Sequence, residues 1–330
     1  MIKSGKDIIF ASKLIREGKL VAFPTETVYG LGANGFDAKA VAKIFEAKKR
    51  PSFDPLILHI SSTEQLDSVF KSPVPELIMR LAEKYWPGPF TIVAPKTRKV
   101  PAIVTAGLKT VAVRMPKHPV ALKLIKQAGV PVAAPSANLF GRLSPTEPEH
   151  VREQLTTIDY LVEGGKTNYG IESTIVSVNG NNIEVLRHGA ITPEQIKSDF
   201  PDANVSISST EDHIQAPGQL KSHYSPRKPL YLLDEMPDEI PEYVRLMLFE
   251  PRELPEGVEQ RIRLLSDKGD LLEAASNMFT VLHELESDPE VEQIYALKVK
   301  TEGIGLAIMD RMNKAAYRYS TLASDDEIQI

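Results

Sequence analysis

The sequence predicts an α/β protein built from two domains, and three observations carry that expectation. From Leu20 to Gly189, short apolar runs that stop at proline or glycine alternate irregularly with amphipathic helical segments. From Ser206 to Pro229 this periodicity lapses into mixed polar residues and proline, and a second, shorter alternation of strand and helix follows. A chain of 330 residues also exceeds what a single core commonly organises. The expected division is a first domain over residues 1–208, a linker over 209–229 and a second domain over 230–330.

Leu20 to Phe23 reads as a strand stopped by Pro24, which turns the chain and delivers Thr25, Glu26, Thr27 and Tyr29 to a sheet edge. Gly30, Gly32 and Gly35 read as a flexible turn. Ala38 to Ala47 repeats apolar residues at helical spacing, with Val41, Ile44 and Phe45 on one face. Lys48, Lys49 and Arg50 close that helix before Pro51. Cations at a helix C-terminus serve as ordinary capping. Three of them beside a hydroxyl-rich turn also describe a phosphate site.

Further on, Leu77 to Tyr85 reads as a helix and Phe90 to Ala94 as a strand. Thr110 to Met115 alternates as a strand, with Thr110, Ala112 and Arg114 on one face and Val111, Val113 and Met115 on the core side. Arg114 at its end suits a carboxylate or phosphate, or equally a local glutamate. Val130 to Pro135 is the next strand and empties into Ser136, Asn138, Gly141 and Ser144, small and polar groups where α/β sheets meet ligands. Gly170 to Val178 repeats the arrangement with Ser173 and Thr174. With Val185 to Gly189 it forms a hairpin turned at Asn179 to Asn182, ending in Arg187 and a structural His188. The linker is expected to be extended and mobile, although SHYSP around Tyr224 is more pointed than a tether requires. Strands at Leu230–Leu233, Val244–Phe249 and Ile294–Leu297, with helices at Gly269–Glu286 and Ile304–Tyr317, make a small α/β unit of Rossmann type. It carries no glycine-rich nucleotide fingerprint and no paired carboxylates.

The net charge of −5 conceals an asymmetry. Residues 1–208 hold 26 basic against 20 acidic side chains, a balance of +6, whereas residues 209–330 hold 13 against 24, a balance of −11. The first domain is therefore the anion binder. The absence of cysteine excludes disulfides, thiolate metal sites and cysteine nucleophiles. The scattered histidines argue against a protein-bound metal. No apolar run approaches a membrane span, and a cytoplasmic protein with no membrane contact is expected.

The segments PTETVYGLG, KKRPSFDPLILH, APSANLFGRLSPT, GIESTIV and LRHGAI resemble the YrdC/Sua5 family, and the tail resembles its two-domain Sua5 type. The resemblance implies a twisted open sheet with a basic concave face in the first domain and a smaller Sua5 domain after it. It also implies an ATP-dependent enzyme that joins L-threonine with bicarbonate or carbon dioxide to give L-threonylcarbamoyl-AMP and pyrophosphate. Magnesium would accompany ATP, and the product would pass to the tRNA threonylcarbamoyl transferase complex, with direct tRNA binding not required. In the family, the pattern of Lys48 with Arg50 and of Ser136 with Asn138 frames the nucleotide. Carried over by position, the threonine contacts fall on Thr27, His59, Arg114, the backbone of Ala134 and Ser173. The ATP contacts fall on Arg50, Asp54, Thr110, Ser136, Ser144, Arg187 and Tyr224. Lys48, Arg50 and Arg114 would carry the catalytic charge. Asp54 departs from the family's asparagine, and either a water-bridged magnesium or a pairing with Lys49 would account for it. Two rival functions follow from the same features. A module for double-stranded RNA fits the basic domain. A carbamoyl-phosphate-dependent transferase fits the related domain of hydrogenase maturation enzymes, although a chain without cysteine lacks their zinc-binding segments.

Overall fold

A computed structural model describes residues 2–208 and 215–326, with side chains as far as residue 319. Residues 209–214, where the linker was expected to begin, and 327–330 lie outside the described residues. The first sheet region contains β1 (Ser4–Gly5), α1 (Ile8–Arg16), β2 (Val21–Phe23), β3 (Gly30–Asn34), α2 (Ala38–Lys48), β4 (Ile57–His59), α3 (Leu66–Val69), α4 (Glu76–Tyr85) and β5 (Phe90–Pro95). It continues through β6 (Thr110–Arg114), α5 (Pro119–Ala128), β7 (Val132–Ala133), α6 (Pro148–Gln154), β8 (Tyr160–Val162), β9 (Thr174–Asn179), β10 (Asn182–Arg187), α7 (Pro193–Asp199) and β11 (Asn204–Ile207). The second region has β12 (Leu230–Leu233), β13 (Val244–Leu248), β14 (Ile262–Leu264), α8 (Leu271–Ser287), β15 (Gln293–Leu297) and α9 (Gly305–Asp326).

The first eleven strands form one mixed sheet in the order β1-β8-β2-β3-β7-β4-β6-β5-β9-β10-β11. Helices cover both of its faces. Val41, Ile44, Ile78 and Leu81 pack from α2 and α4 on one side, and Ala11, Ile15, Leu124 and Ile125 pack from α1 and α5 on the other. The second sheet, β12-β15-β13-β14, is wholly parallel, as crossover helices require, with α8 and α9 in its core.

Two local expectations need correction. Gly30 to Gly35 is largely a strand rather than a turn, because β3 pairs antiparallel with β2. The glycine composition reflects close packing: a Cβ on Gly32 would lie 2.7 Å from the Phe23 ring and 2.9 Å from Val132. The linker, expected to be loose, is packed where it is described. Ala216, His223, Tyr224 and Ser225 are all buried, and Ser225 N–H donates to the Gly141 carbonyl. The hairpin turn at Asn179 to Asn182 is seen as expected, between β9 and β10.

The two regions are locked together by α8. Gly170, at a left-handed φ of +66°, lies so close to this helix that a Cβ would sit 2.3 Å from the Ser276 carbonyl oxygen. Thr146 and Thr280 share a hydrogen bond of 2.9 Å, and Arg142 pairs with Glu286 at 2.6 Å. Between these contacts the His150 and His283 rings stack at 3.7 Å, and His283 Nε2 lies 3.1 Å from the Ser144 carbonyl.

Burial, reinforced by Lys166, depresses His150 to about 4. Burial, the His150 ring, Arg142 and Arg227 together depress His283 to about 3, against the opposing pull of the Ser144 carbonyl. Unfolded histidine titrates near about 6.5, so as pH falls the unfolded chain takes up protons first. Stability contributed by this stack is full above about 6.5 and is lost as pH falls through those depressed values. The midpoint of thermal unfolding should therefore drop between pH 7 and pH 4. The double variant His150→Phe, His283→Phe should flatten that dependence, and an unchanged slope would remove the stack as its cause.

Candidate active site

Several strand ends and turns open onto one cleft. Its walls are Thr25, Thr27, Val28 and Gly30 around the turn after β2, Arg50 after α2, and Ile57 and His59 of β4. Arg114 of β6, Ala134 to Ser136 after β7, Glu172 before β9 and Arg187 of β10 continue it. Pro217, Gly218, His223 and Tyr224 close it from the segment between the two sheets. Sheet register does much of the placing, since His59 pairs with Arg114 across β4 and β6, and Arg114 with Thr91 across β6 and β5.

Each cation is fixed by groups distant in sequence. Arg114 Nη2 meets Glu26 Oε1 at 2.5 Å, Nη1 donates to Thr27 Oγ1 at 2.9 Å, and Nε donates to the Gly88 carbonyl. The Thr25 hydroxyl donates to the Val28 carbonyl at 2.7 Å, which leaves Thr27 to donate to Thr25 across their 2.8 Å contact. Thr27 is thereby oriented from both sides. Arg187 reaches the Ser173 carbonyl through Nε and Nη2 and the Pro217 carbonyl through Nη1, while Ser173 Oγ also contacts Thr91. Arg50 donates from Nε and Nη2 to the Asp54 and Pro55 carbonyls, and Nη2 pairs with Asp54 Oδ1 at 2.9 Å.

Asp54 therefore pairs with Arg50 and not with Lys49, which instead takes the left-handed conformation that ends α2. Burial raises the Asp54 carboxyl against the pull of Arg50, Lys48 and Arg187. Burial also lowers Arg50 and Arg187 from their ordinary range. His59 is pushed down to about 3 by burial and then by Arg114, so it is neutral, and its buried Nδ1 has no protein partner.

Lys48 is displaced from the expected role. It is 1% exposed and does not line the cleft; its Nζ donates to the Ser136 carbonyl at 2.6 Å and the Asn138 carbonyl at 2.5 Å. Burial, then Arg50, lowers its pKa well below the ordinary lysine range. Asn138 in turn donates to the Leu139 and Arg142 carbonyls. Lys48 and Asn138 thus shape the loop that carries Ser136. Among the remaining expected residues, Thr27, Arg50, His59, Arg114, Ala134, Ser136, Arg187 and Tyr224 reach the cleft. Ser144, Ser173, Asp54 and Thr110 stand behind or beside it, Ser144 being bound to Glu172 Oε1 at 2.5 Å. Glu26 and Glu172 carry no signal of a role within their motifs, yet both hold site residues in place, and His223 lines the cleft beside Tyr224.

The cleft is that of an enzyme that gathers anions by fixed guanidinium and hydroxyl groups. Residues 13–189 match the Sua5/YciO/YrdC family model described as telomere recombination, and residues 191–317 match the threonylcarbamoyl-AMP synthase C-terminal domain. The threonylcarbamoyl-AMP synthase of Pyrococcus abyssi is 41% identical over 94% of both chains, and that of Bacillus subtilis is 40% identical over 93% of this chain and 92% of its own. The crystal structure of P. abyssi Sua5 complexed with L-threonine superposes with a TM-score of 0.85 at 38% identity, covering 96% of this chain and 98% of that one. The chain belongs to the YrdC/Sua5 family, in its two-domain form of threonylcarbamoyl-AMP synthases, with a YrdC-like α/β domain followed by a smaller Sua5-like one.

Replacing Lys48 by methionine would strand two buried carbonyl oxygens, each costing about 1 to 3 kcal/mol. Lys48→Met should therefore lower stability to urea by about 2 to 6 kcal/mol. The exposed neighbour serves as control, and Lys49→Met should stay within about 0.5 kcal/mol. Equal effects of the two variants would contradict the bracket.

Proposed function

We infer that the cleft makes L-threonylcarbamoyl-AMP from L-threonine, bicarbonate or carbon dioxide, and ATP, with release of pyrophosphate. One observation carries the reading. The cleft wall holds three buried guanidiniums, Arg50, Arg114 and Arg187, against one carboxylate, Glu172. Glu26 and Asp54 stand behind the wall on Arg114 and Arg50, but Arg187 is bound by neutral groups alone and is stabilised when an anion enters. ATP, the threonine carboxylate, the carbamate and the product are all anionic. The threonine complex of the P. abyssi relative supports the amino-acid half.

The chemistry needs positioning rather than a covalent intermediate. Threonine's neutral amine adds to carbon dioxide, giving a carbamate and releasing a proton. A carbamate oxygen then attacks the α-phosphate, and pyrophosphate leaves. Arg114, Thr27, the free Nδ1 of His59 and Ser173 are assigned to threonine. Ala134 N–H already serves the Ile57 carbonyl, so the group Ala134 offers the substrate is its own carbonyl. Arg50, Ser136, Arg187 and Tyr224 are assigned to ATP. In Arg50, Nε and Nη2 are bound back to its own loop, leaving Nη1 for phosphate. Asp54, Ser144 and Asn138 act one step removed, through Arg50, Glu172 and the loop of Ser136, and Thr110 keeps its assignment to ATP from the start of β6.

Among the described residues no group of three His, Cys, Asp or Glu side chains is gathered to hold a metal. Glu172 is already engaged by Ser144 and Arg311. Magnesium would therefore be held by the triphosphate, where it neutralises the departing pyrophosphate. No helix among the described residues is long and apolar enough to cross a membrane. The proposed setting is the cytoplasm, where the product passes to the tRNA threonylcarbamoyl transferase complex.

The cavity enclosed by the segment over the cleft is only about 40 Å³. Nucleotide-sized pockets run from about 300 to 1,000 Å³. Pro217 to Tyr224 must therefore swing out to admit ATP and close again to keep water from the mixed anhydride. Proteolysis between Ala216 and Pro226 should be slowed by ATP with threonine, and cleavage at the same rate with and without them would remove the strap from the mechanism.

The activity test is incubation with ATP, magnesium, bicarbonate and L-threonine, followed by detection of pyrophosphate and a threonylcarbamoyl nucleotide. Omitting bicarbonate should abolish the product, and pyrophosphate release independent of threonine would overturn the reading. Arg50→Ala should remove a charge-assisted contact of about 1.5 to 3 kcal/mol, weakening ATP at least tenfold. Arg114→Ala should weaken threonine more than ATP, and equal losses would mean that Arg114 is wrongly assigned.

A further inference from the structure

We propose that Arg311, on the last helix of the second domain, is a positioning residue for the nucleotide half of the cleft. It acts through Glu172 and the Tyr224 ring, and the proposal rests on the synthase reading above.

Arg311 is fully buried, yet it belongs to the domain that carries none of the family's assigned ligand contacts. Its Nε meets Glu172 Oε2 at 3.1 Å, its Nη1 meets Asp310 Oδ2 at 2.7 Å, and its guanidinium lies 5.6 Å from the centre of the Tyr224 ring. The other Glu172 oxygen accepts from Ser144 at 2.5 Å. One turn further along α9, Lys314 Nζ binds Asp310 Oδ1 and the Gly218 carbonyl, both at 2.6 Å. A single polar chain thus runs from the loop behind Ser136, through Glu172, into α9 and out to the strap over the cleft. Glu172, Gly218 and Tyr224 line the cleft directly.

The direction of the effect follows from charge. With Arg311 in place, the Glu172 carboxylate in the cleft wall is paired and its charge offset. Without it, an unpaired carboxylate would stand in the wall of a cleft that must accept a triphosphate, and the repulsion would fall on ATP. The Tyr224 ring would also lose the cation it packs against. Tyr224 needs such support, because its φ of 62° is a left-handed conformation that aromatic residues rarely hold unaided. On the threonine side, Arg114 binds Glu26, Thr27 and Gly88 instead. That half should be spared.

A merely structural arginine would damage both substrates together by lowering the folded fraction. The test is therefore a split. In the full chain, Arg311→Met should raise the KM for ATP at least tenfold, while the Kd for threonine by titration calorimetry stays within twofold. Arg311→Lys, which keeps the charge, should recover part of the loss. Adding Glu172→Gln to Arg311→Met should bring the KM back to within threefold of Glu172→Gln alone, because the stranded charge is gone. Equal losses for both substrates, or independent effects of the two substitutions, would overturn the proposal. Hydrogen exchange of the wild-type protein gives a reading that needs no variant to fold. ATP should slow exchange over residues 305–316 and threonine alone should not; exchange unchanged by ATP would also overturn it. Wild-type protein that releases no pyrophosphate would instead remove the synthase reading, and this proposal with it.

Discussion

Desolvated positive charge is the constraint on which the rest of this structure depends. Buried guanidinium and ammonium groups persist only where hydrogen bonds and counter-charges hold them. Each cation at the cleft is met by a different solution. Arg114 has a carboxylate and a hydroxyl, Arg50 has Asp54 and two carbonyls, and Arg187 has carbonyls and a serine. The partial solutions are the informative ones. Arg187 is bound by neutral groups alone in its hydrogen bonds, so its charge remains available to an anion. Lys48 is held only by neutral oxygens too, but its burial behind the loop turns it into a bracket. Two cations held by neutral groups thus differ in role according to whether they reach the cleft, as Arg187 does and Lys48 does not.

That distinction marks the boundary of what could be read from the chain. Elements set by local pattern were legible. The helix after the glycine run is capped by Asp37 and ends on its basic triplet, and the hairpin turns where its asparagines and glycine stand. Arg114 at the end of its strand was legible as a cation suited to an anionic ligand or a glutamate, and it lines the cleft while paired to one. Its partner was not, because Glu26 lies 88 residues away and is brought to it only by the sheet order. Lys48 and Arg50 look alike in sequence, and with a left-handed turn between them at Lys49 only Arg50 reaches the cleft wall. Gly30 and Gly32 were misread as a turn because glycine chosen for lack of a Cβ cannot be told, in sequence, from glycine chosen for positive φ. Arg311 is the extreme case. It sits 139 residues from Glu172, in a helix whose apolar periodicity gives no hint of a buried cation.

The second domain gains a physical role from these contacts. Its core is continuous with the first domain, since Leu143, Ile171 and Tyr224 belong to the same apolar cluster as Met278, Phe279 and Met312. Tyr224 also packs 5.6 Å from the Phe279 ring, so the residue that closes the cleft is seated on α8 as well as α9. A strap anchored on one domain and laid over another moves only as far as both anchors permit. The lack of any side chain at Gly170 keeps one of those anchors tight, because α8 cannot approach if even a Cβ intervenes.

Charge then explains why an acidic domain stands beside a cationic cleft. Side chains balanced at −11 beyond residue 208 would repel a triphosphate if they faced it, and the balance of +6 before that point would attract polyanions over a wide area. At the interface Arg142 pairs with Glu286, which sets part of one excess against the other, while Glu172 with Arg311 joins the minority charge of each domain. Beyond about 8 Å the remaining field is screened at physiological salt. What survives at short range is the positive wall of the cleft itself. The second domain, acidic as a whole, sets two of its cations there, Arg311 on Glu172 and Lys314 on the Gly218 carbonyl, so its excess of acids does not decide the charge at the place where a triphosphate would react.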